Sequence, residues 1–188
     1  MSKIIEKSIY ENINLLDDIK TDLESSISKA SKQIIKSLNN GKKILWCGNG
    51  GSASQANHLS AELLGGMYKK KKSPFRSICI NTDTSFLTAW SNDDSYENIF
   101  TRQLEALGDP GDVLIVLSTS GNSKNVVNAA NFAKKNNIKV ISLTGNDGGK
   151  LKNISNVNIN IPSRNTQRIQ EVHILVGHIL CDIVEQTL

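Results

Sequence analysis

Five short runs rich in Ile, Val and Leu limit what this chain can fold into. They lie at Lys43–Cys47, Ser77–Ile80, Val113–Leu117, Lys139–Leu143 and Val157–Ile161. Such runs suit strands of a parallel sheet buried on both faces. Between them the spacing predicts helices over Ser52–Leu64, over 84–107 with a loop near Ser91–Asp94, and over Ser123–Lys135; Thr166–Val184 reads as a final helix. Strands alternating with helices imply an α/β three-layer sandwich around a five-stranded parallel sheet. Ligands of such folds sit at the carboxyl ends of the strands.

Ahead of this pattern, residues 3–39 read as one long amphipathic helix. Ile4, Ile5, Ile9, Ile13 and Leu16 fall mostly three to four apart, as do Leu23, Ile27, Ala30, Ile34 and Leu38. Asn39-Asn40-Gly41 supplies the stop. The expected organisation is a helical N-terminal arm over 1–40, part of the same domain, and an α/β body over 41–188. The arm needs a surface to cover, on its own body or on a second subunit.

Composition narrows the function classes. Hydrophobic residues make up 38% and charged residues 21%, too apolar a mixture for a disordered chain. No apolar run reaches the roughly 18 residues of a membrane span. The opening Met1-Ser2-Lys3-Ile4-Ile5-Glu6 lacks a signal peptide's continuous apolar stretch, so a cytoplasmic location without membrane partners is expected. Cys47, Cys79 and Cys181 are odd in number and form no Cys-x-x-Cys pair, which suits reduced buried thiols. Much of the net charge of +4 comes from Lys69-Lys70-Lys71-Lys72. Without interleaved aromatics or a nucleic-acid motif, this run reads as a solvated loop, and no nucleic-acid partner is expected.

Two loops at predicted strand ends carry ligand chemistry. The first is Cys47-Gly48-Asn49-Gly50-Gly51-Ser52, followed by a helix. Glycines let a backbone approach a ligand closely, and a helix N-terminus attracts anions. Gly48-x-Gly50-x-x-Ala53 also fits the dinucleotide fingerprint. That fingerprint expects an acid ending the second strand, where this chain has Asn81, with Asp83 too far on. The second loop is Ser118-Thr119-Ser120-Gly121-Asn122-Ser123. Its hydroxyls and backbone N–H groups suit a phosphate dianion without a lysine. No nucleoside-triphosphate loop of the form G-x-x-x-x-G-K-[ST] occurs. Taken alone, the second loop is equally a polar turn with Ser123 as helix cap. Two such loops at one sheet edge favour a ligand.

Proton-transfer groups come from two helices. His58 and Glu62 are four apart and share a helix face. By itself that pair reads as a surface pair. The final helix carries Gln170, Glu171, His173 and His178. Gln170 and His178 lie about 80° apart around the helix, whereas His173 and His178 lie about 140° apart, so those two histidines face different ways. Two imidazoles, a carboxylate and an amide also form a donor set that suits zinc.

The Cys47–Ser52 loop, His58-x-x-x-Glu62, Ser118–Ser123, Leu143-Thr144-Gly145-Asn146-Asp147-Gly148-Gly149, and Arg168-Ile169-Gln170-Glu171-Val172-His173 through His178 occur in one order along nearly the whole chain. In this the chain resembles the phosphoheptose isomerase branch of the sugar isomerase (SIS) domain superfamily. The resemblance implies a flavodoxin-like SIS fold and conversion of D-sedoheptulose 7-phosphate to D-glycero-D-manno-heptose 7-phosphate. That product feeds bacterial heptose synthesis for lipopolysaccharide or capsule. It implies that Ser118, Thr119, Ser120 and Ser123 hold the phosphate, with Ser52 nearby. Asn49, Gly50, Gly51, Asn92 and Asp93 would line the sugar site, with Glu62 and Gln170 bordering it. His58, Glu62, Gln170 and His178 would bind one zinc ion per subunit. Glu62 would be the base and His178 its acid/base partner, in a homotetramer with shared sites.

The groups agree with that chemistry. Ketose–aldose interconversion moves one proton between adjacent carbons through an enediol. A carboxylate can take and return that proton while His or a metal polarises the oxygens. Two alternatives stay open at this level: a non-catalytic regulatory SIS protein of replication initiation, and an isomerase of another ketose phosphate. Retention of both Glu62 and His178 favours the enzyme.

Overall fold

Successive strand residues point to opposite faces, and here both faces are covered. The structure is a computed structural model that describes residues 1–68 and 73–188. Its strands are β1 (Ile44–Gly48), β2 (Ser77–Cys79), β3 (Val113–Ser118), β4 (Lys139–Gly145) and β5 (Val157–Ile161). All pair in parallel, in the order β2-β1-β3-β4-β5. Ile44, Trp46, Val113, Ile115, Leu117, Ile141 and Leu143 enter one core with α1 (Ser2–Asn39), α2 (Gly51–Gly65) and α7 (Thr166–Thr187). Leu45, Cys47, Leu114, Val116 and Val140 enter the other with α4 (Ile99–Leu107), α5 (Lys124–Lys135) and α6 (Gly149–Ile154). A last helix, α3 (Thr84–Asp93), follows β2 and contributes no buried residue. The α/β sandwich with five parallel strands is as the sequence predicts.

The element boundaries differ where side chains take over backbone bonding. Lys43 does not begin β1. Its N–H donates to the Asp112 carboxylate at 3.0 Å, and its buried Nζ lies 2.6 Å from both Asp109 and Asp112. The predicted break near Ser91–Asp94 falls slightly later, because α3 runs to Asp93 and a 3-10 turn occupies Tyr96–Asn98 before α4. The short α6 has no counterpart in the sequence reading. The lysine run at 69–72 lies outside the described residues.

Half of the arm covers its own body. From Ile19 onward α1 buries Ile19, Leu23, Ile27, Ala30 and Ile34. Its first turns leave Ile4, Ile5, Ile9, Tyr10 and Ile13 exposed. Cys47, Cys79 and Cys181 are free and buried, and burial pushes the Cys181 thiol up to about 12. Among the described residues no helix is long and apolar enough to cross a membrane.

The strand order decides where a ligand can bind. The chain leaves β1 toward β2 on one side and returns to place β3 on the other. Connections diverge there, opening a crevice at the carboxyl ends of β1 and β3. Gly48 pairs with Leu117 in register, so the glycine loop and the hydroxyl loop begin side by side.

Candidate active site

Each loop is shaped by glycines that a larger residue could replace only with backbone strain or movement. Gly50 caps α2 at φ 56°, a left-handed conformation that favours glycine. Gly121, at φ +64°, lets the hydroxyl loop settle on the β4–α6 loop, and a Cβ at Gly149 would meet the Ser120 carbonyl at 2.6 Å. Leu151 N–H donates to Gly121 O at 3.1 Å and Lys150 N–H to Asn122 Oδ1 at 3.0 Å. The Gly145–Gly149 segment thus braces the hydroxyl loop from behind.

The hydroxyls of that loop converge. Ser123 occupies the N-cap position of α5 yet makes no side-chain cap bond. Its Oγ instead lies 3.1 Å from the buried Ser118 Oγ. Ser120 is exposed at the loop tip, and its Oγ accepts from Asn122 N–H at 3.2 Å. Across the crevice, Asn49 exchanges hydrogen bonds with the buried Asn125 and accepts one from Tyr96 OH at 3.0 Å. Asn81, in the place where a dinucleotide site would carry an acid, holds the glycine loop with two bonds to the Gly48 backbone, 2.9 and 3.1 Å long.

The proton-transfer groups meet on the parallel helices α2 and α7. His58 Nε2 lies 2.8 Å from His178 Nε2, and their rings meet edge to face at 5.1 Å. Glu62 Oε1 lies 3.5 Å from His58 Nε2. Gly177 makes this approach possible, because Leu59 of α2 fills the space where its Cβ would stand. His173 faces away from the cluster, as its angle to His178 predicts. It is fully buried, its Nε2–H donates to Thr144 O at 3.0 Å, and burial lowers its pKa to about 4.

Other predicted site residues lie apart from this cluster. Gln170 packs its amide against Gly51, and its backbone carbonyl accepts from Gln55 Nε2 at 2.6 Å. It stands eight residues before His178, about 12 Å of helix rise from the imidazoles. Asn92 and Asp93 are exposed at the end of α3, bonded to one another at 2.9 Å. Among the described residues, no hydrogen bond joins them to either loop. Nor does any group of three or more His, Cys, Asp or Glu there have an arrangement that holds a metal ion. The donor types suit zinc, since two imidazoles and a carboxylate make a known catalytic set. The 2.8 Å between the two Nε2 atoms is a hydrogen-bond distance. Two nitrogens on one tetrahedral zinc stand roughly 3.3 Å apart, so binding would need the rings to part slightly.

Comparison with known proteins shows the family and the fold. A model of the SIS domain family matches residues 9–145. The phosphoheptose isomerase of Shewanella oneidensis is 47% identical over 191 aligned residues, covering 100% of this chain and 96% of that protein. The chain belongs to the phosphoheptose isomerase family. Solved structures of phosphoheptose isomerases superpose closely. That from Francisella tularensis gives a TM-score of 0.94 at 36% identity, covering 98% of this chain and 97% of the other. That from Neisseria gonorrhoeae gives 0.91 at 39% identity, covering 97% and 98%. Asn125 and Tyr96, which bond Asn49, and Gly177, which lets α7 approach Leu59, were passed over in reading the phosphoheptose isomerase motifs. Only Gly177, a glycine inside an apolar helix, carries a local signal.

Proposed function

We infer that this chain converts D-sedoheptulose 7-phosphate to D-glycero-D-manno-heptose 7-phosphate, in the cytoplasm, as the first step toward heptose for a bacterial surface polysaccharide. The observation that carries this reading is the meeting of Glu62, His58 and His178 on two helices that start beside a hydroxyl-lined anion cradle.

In the proposed mechanism, Ser118, Thr119, Ser120 and Ser123, with Ser52 nearby, hold the phosphate. Asn49, Gly50, Gly51, Asn92 and Asp93 line the sugar chain. Glu62 takes a proton from C1 of the ketose, giving an enediol. His178 supplies a proton to O2 and accepts one from O1 as the aldehyde forms. Glu62 then returns its proton to C2. C1 is oxidised from alcohol to aldehyde and C2 reduced from ketone to alcohol, so electrons balance without a redox cofactor.

A zinc ion, one per subunit, would be held by His58, Glu62 and His178; Gln170, about 12 Å of helix rise from His178 on the same helix, would join as a fourth ligand only from a neighbouring subunit. Such an ion would polarise the sugar oxygens as a Lewis acid.

We also infer a homotetramer in which sites are shared between subunits. Glu62 lies eleven residues beyond Gly51, about 16 Å of helix rise from the glycine loop. That exceeds the length of an extended heptose chain, so a neighbouring subunit's acid and imidazole are better placed to meet the sugar. The exposed Ile4, Ile5, Ile9 and Ile13 give the arm a second surface to cover.

The test is turnover of sedoheptulose 7-phosphate against fructose 6-phosphate, arabinose 5-phosphate and hexulose 6-phosphate, by the wild type and Glu62→Gln. Preference for the heptulose is expected, with loss of turnover and retained sugar-phosphate binding in the variant. Near-normal turnover by Glu62→Gln would remove the carboxylate from the mechanism.

A further inference from the structure

We propose that Asn125 and Tyr96 are positioning residues that lock Asn49 as an obligate hydrogen-bond donor to the phosphosugar. The proposal rests on the reading of the crevice between β1 and β3 as the substrate site.

The lock follows from which atoms are already committed. Asn125 is buried in the first turn of α5, directly behind the hydroxyl loop. Its Oδ1 accepts from the Val126 backbone N–H at 2.9 Å, and that N–H cannot act as an acceptor. The orientation of the Asn125 amide is therefore fixed. Its Nδ2 donates to Asn49 Oδ1 at 2.9 Å, and its Oδ1 accepts from Asn49 Nδ2 at 2.8 Å. Tyr96 OH donates a second bond to Asn49 Oδ1, at 3.0 Å. Two donors now fill the oxygen of Asn49. One of its two N–H bonds goes to Asn125, and among the described residues the other meets no protein acceptor. What Asn49 offers a ligand is thus an N–H. This position reads an oxygen lone pair, on phosphate or on a sugar oxygen, rather than a hydroxyl proton.

Tyr96 reaches Asn49 because the 3-10 turn that carries it is tied to α5. Lys124 Nζ bonds Glu97 Oε1 at 2.8 Å, and Asn128 Nδ2 donates to the Glu97 carbonyl at 3.1 Å. Tyr96 itself is half exposed and belongs to neither core, so removing its hydroxyl leaves folding intact.

A double-mutant cycle decides the proposal, using Tyr96→Phe, Asn49→Ala and the double variant. Sedoheptulose 7-phosphate is the probe, followed by steady-state turnover and by calorimetric Kd. One neutral hydrogen bond corresponds to about threefold to tenfold in affinity. The expected result for Tyr96→Phe is a rise in KM and Kd of that size, with kcat within twofold and an unchanged melting temperature. In the Asn49→Ala background the same substitution should change nothing, because its target is gone. An unchanged Kd in Tyr96→Phe overturns the lock. So does an equal effect in both backgrounds, which would mean that Tyr96 touches the sugar itself. Wild-type protein that binds the sugar phosphate without turnover overturns the isomerase reading, and the cycle in Kd still judges the lock. Wild-type protein that does not bind it overturns both.

Discussion

Protonating His173 should cost this fold a measurable share of its stability. The imidazole is fully buried between α7 and the end of β4. One nitrogen, Nε2, donates to Thr144 O at 3.0 Å, while Nδ1 is buried without a partner. The neutral ring tolerates this arrangement. A second N–H at Nδ1 would find no acceptor and would bring a full charge into the core. Burial accordingly lowers the pKa to about 4, against the favourable pull of the Thr144 carbonyl. An exposed histidine titrates near 6.5. Between about pH 6.5 and pH 4 the unfolded chain binds a proton here that the folded chain refuses. The contribution is therefore complete above about pH 6.5 and is lost as pH falls toward 4, at about 1.4 kcal/mol per pH unit. Over the whole interval the loss is about 3 kcal/mol, a large part of a typical domain's stability. The assay is urea unfolding at pH 7.5 and at pH 4.5, at one protein concentration, for the wild type and His173→Gln. The amide keeps a donor for Thr144 O but cannot ionise in this range. Carboxylates, His58 and His178 are common to both proteins and cancel in the comparison. The wild type should lose about 2 to 3 kcal/mol more than the variant between the two pH values. Equal losses would refute the reasoning, because they would mean the buried ring takes its proton without penalty.

Two further outcomes test the loops and the helix pair. Ser120→Ala should weaken binding of the 7-phosphate by about tenfold to a hundredfold while leaving the unphosphorylated heptulose nearly unaffected, since a hydroxyl bond to a charged group contributes about 1.5–3 kcal/mol. Calorimetry with both sugars checks this, and equal losses would show that the loop does not hold phosphate. Gly177→Val should force α7 away from Leu59 and separate His178 from His58. Turnover should fall at least tenfold, and if the proposed zinc site exists, the zinc content after purification, by elemental analysis, should fall well below that of the wild type. Wild-type zinc content and turnover in the variant would show that the helix spacing is not what sets the cluster.

What the chain reveals without coordinates follows from the range of the forces involved. Apolar period and glycine placement are local, so five strands, the longer helices and both the glycine and the hydroxyl loop could be read directly, whereas the short α6 could not. The opposed directions of His173 and His178 also follow from helix geometry, and one ring is indeed sealed in the core while the other meets His58. Boundaries were less legible wherever a distant side chain competed for a backbone group. Asp112 takes the Lys43 N–H from 69 positions away, and no window around Lys43 contains that acid. The site shows the same limit more sharply. Asn49 stands out by its glycine neighbours, but its chemistry as a donor is set by Asn125 and Tyr96, which are 76 and 47 positions distant. Neither has an unusual residue type or spacing in its own segment. Gln170 and His178 share a helix face by spacing, yet the amide lies against Gly51 and the imidazole against His58, because the face is longer than either side chain. Spacing assigns residues to a face. Only packing between helices decides which of them meet, and at this site that decision rests on the missing side chain of Gly177.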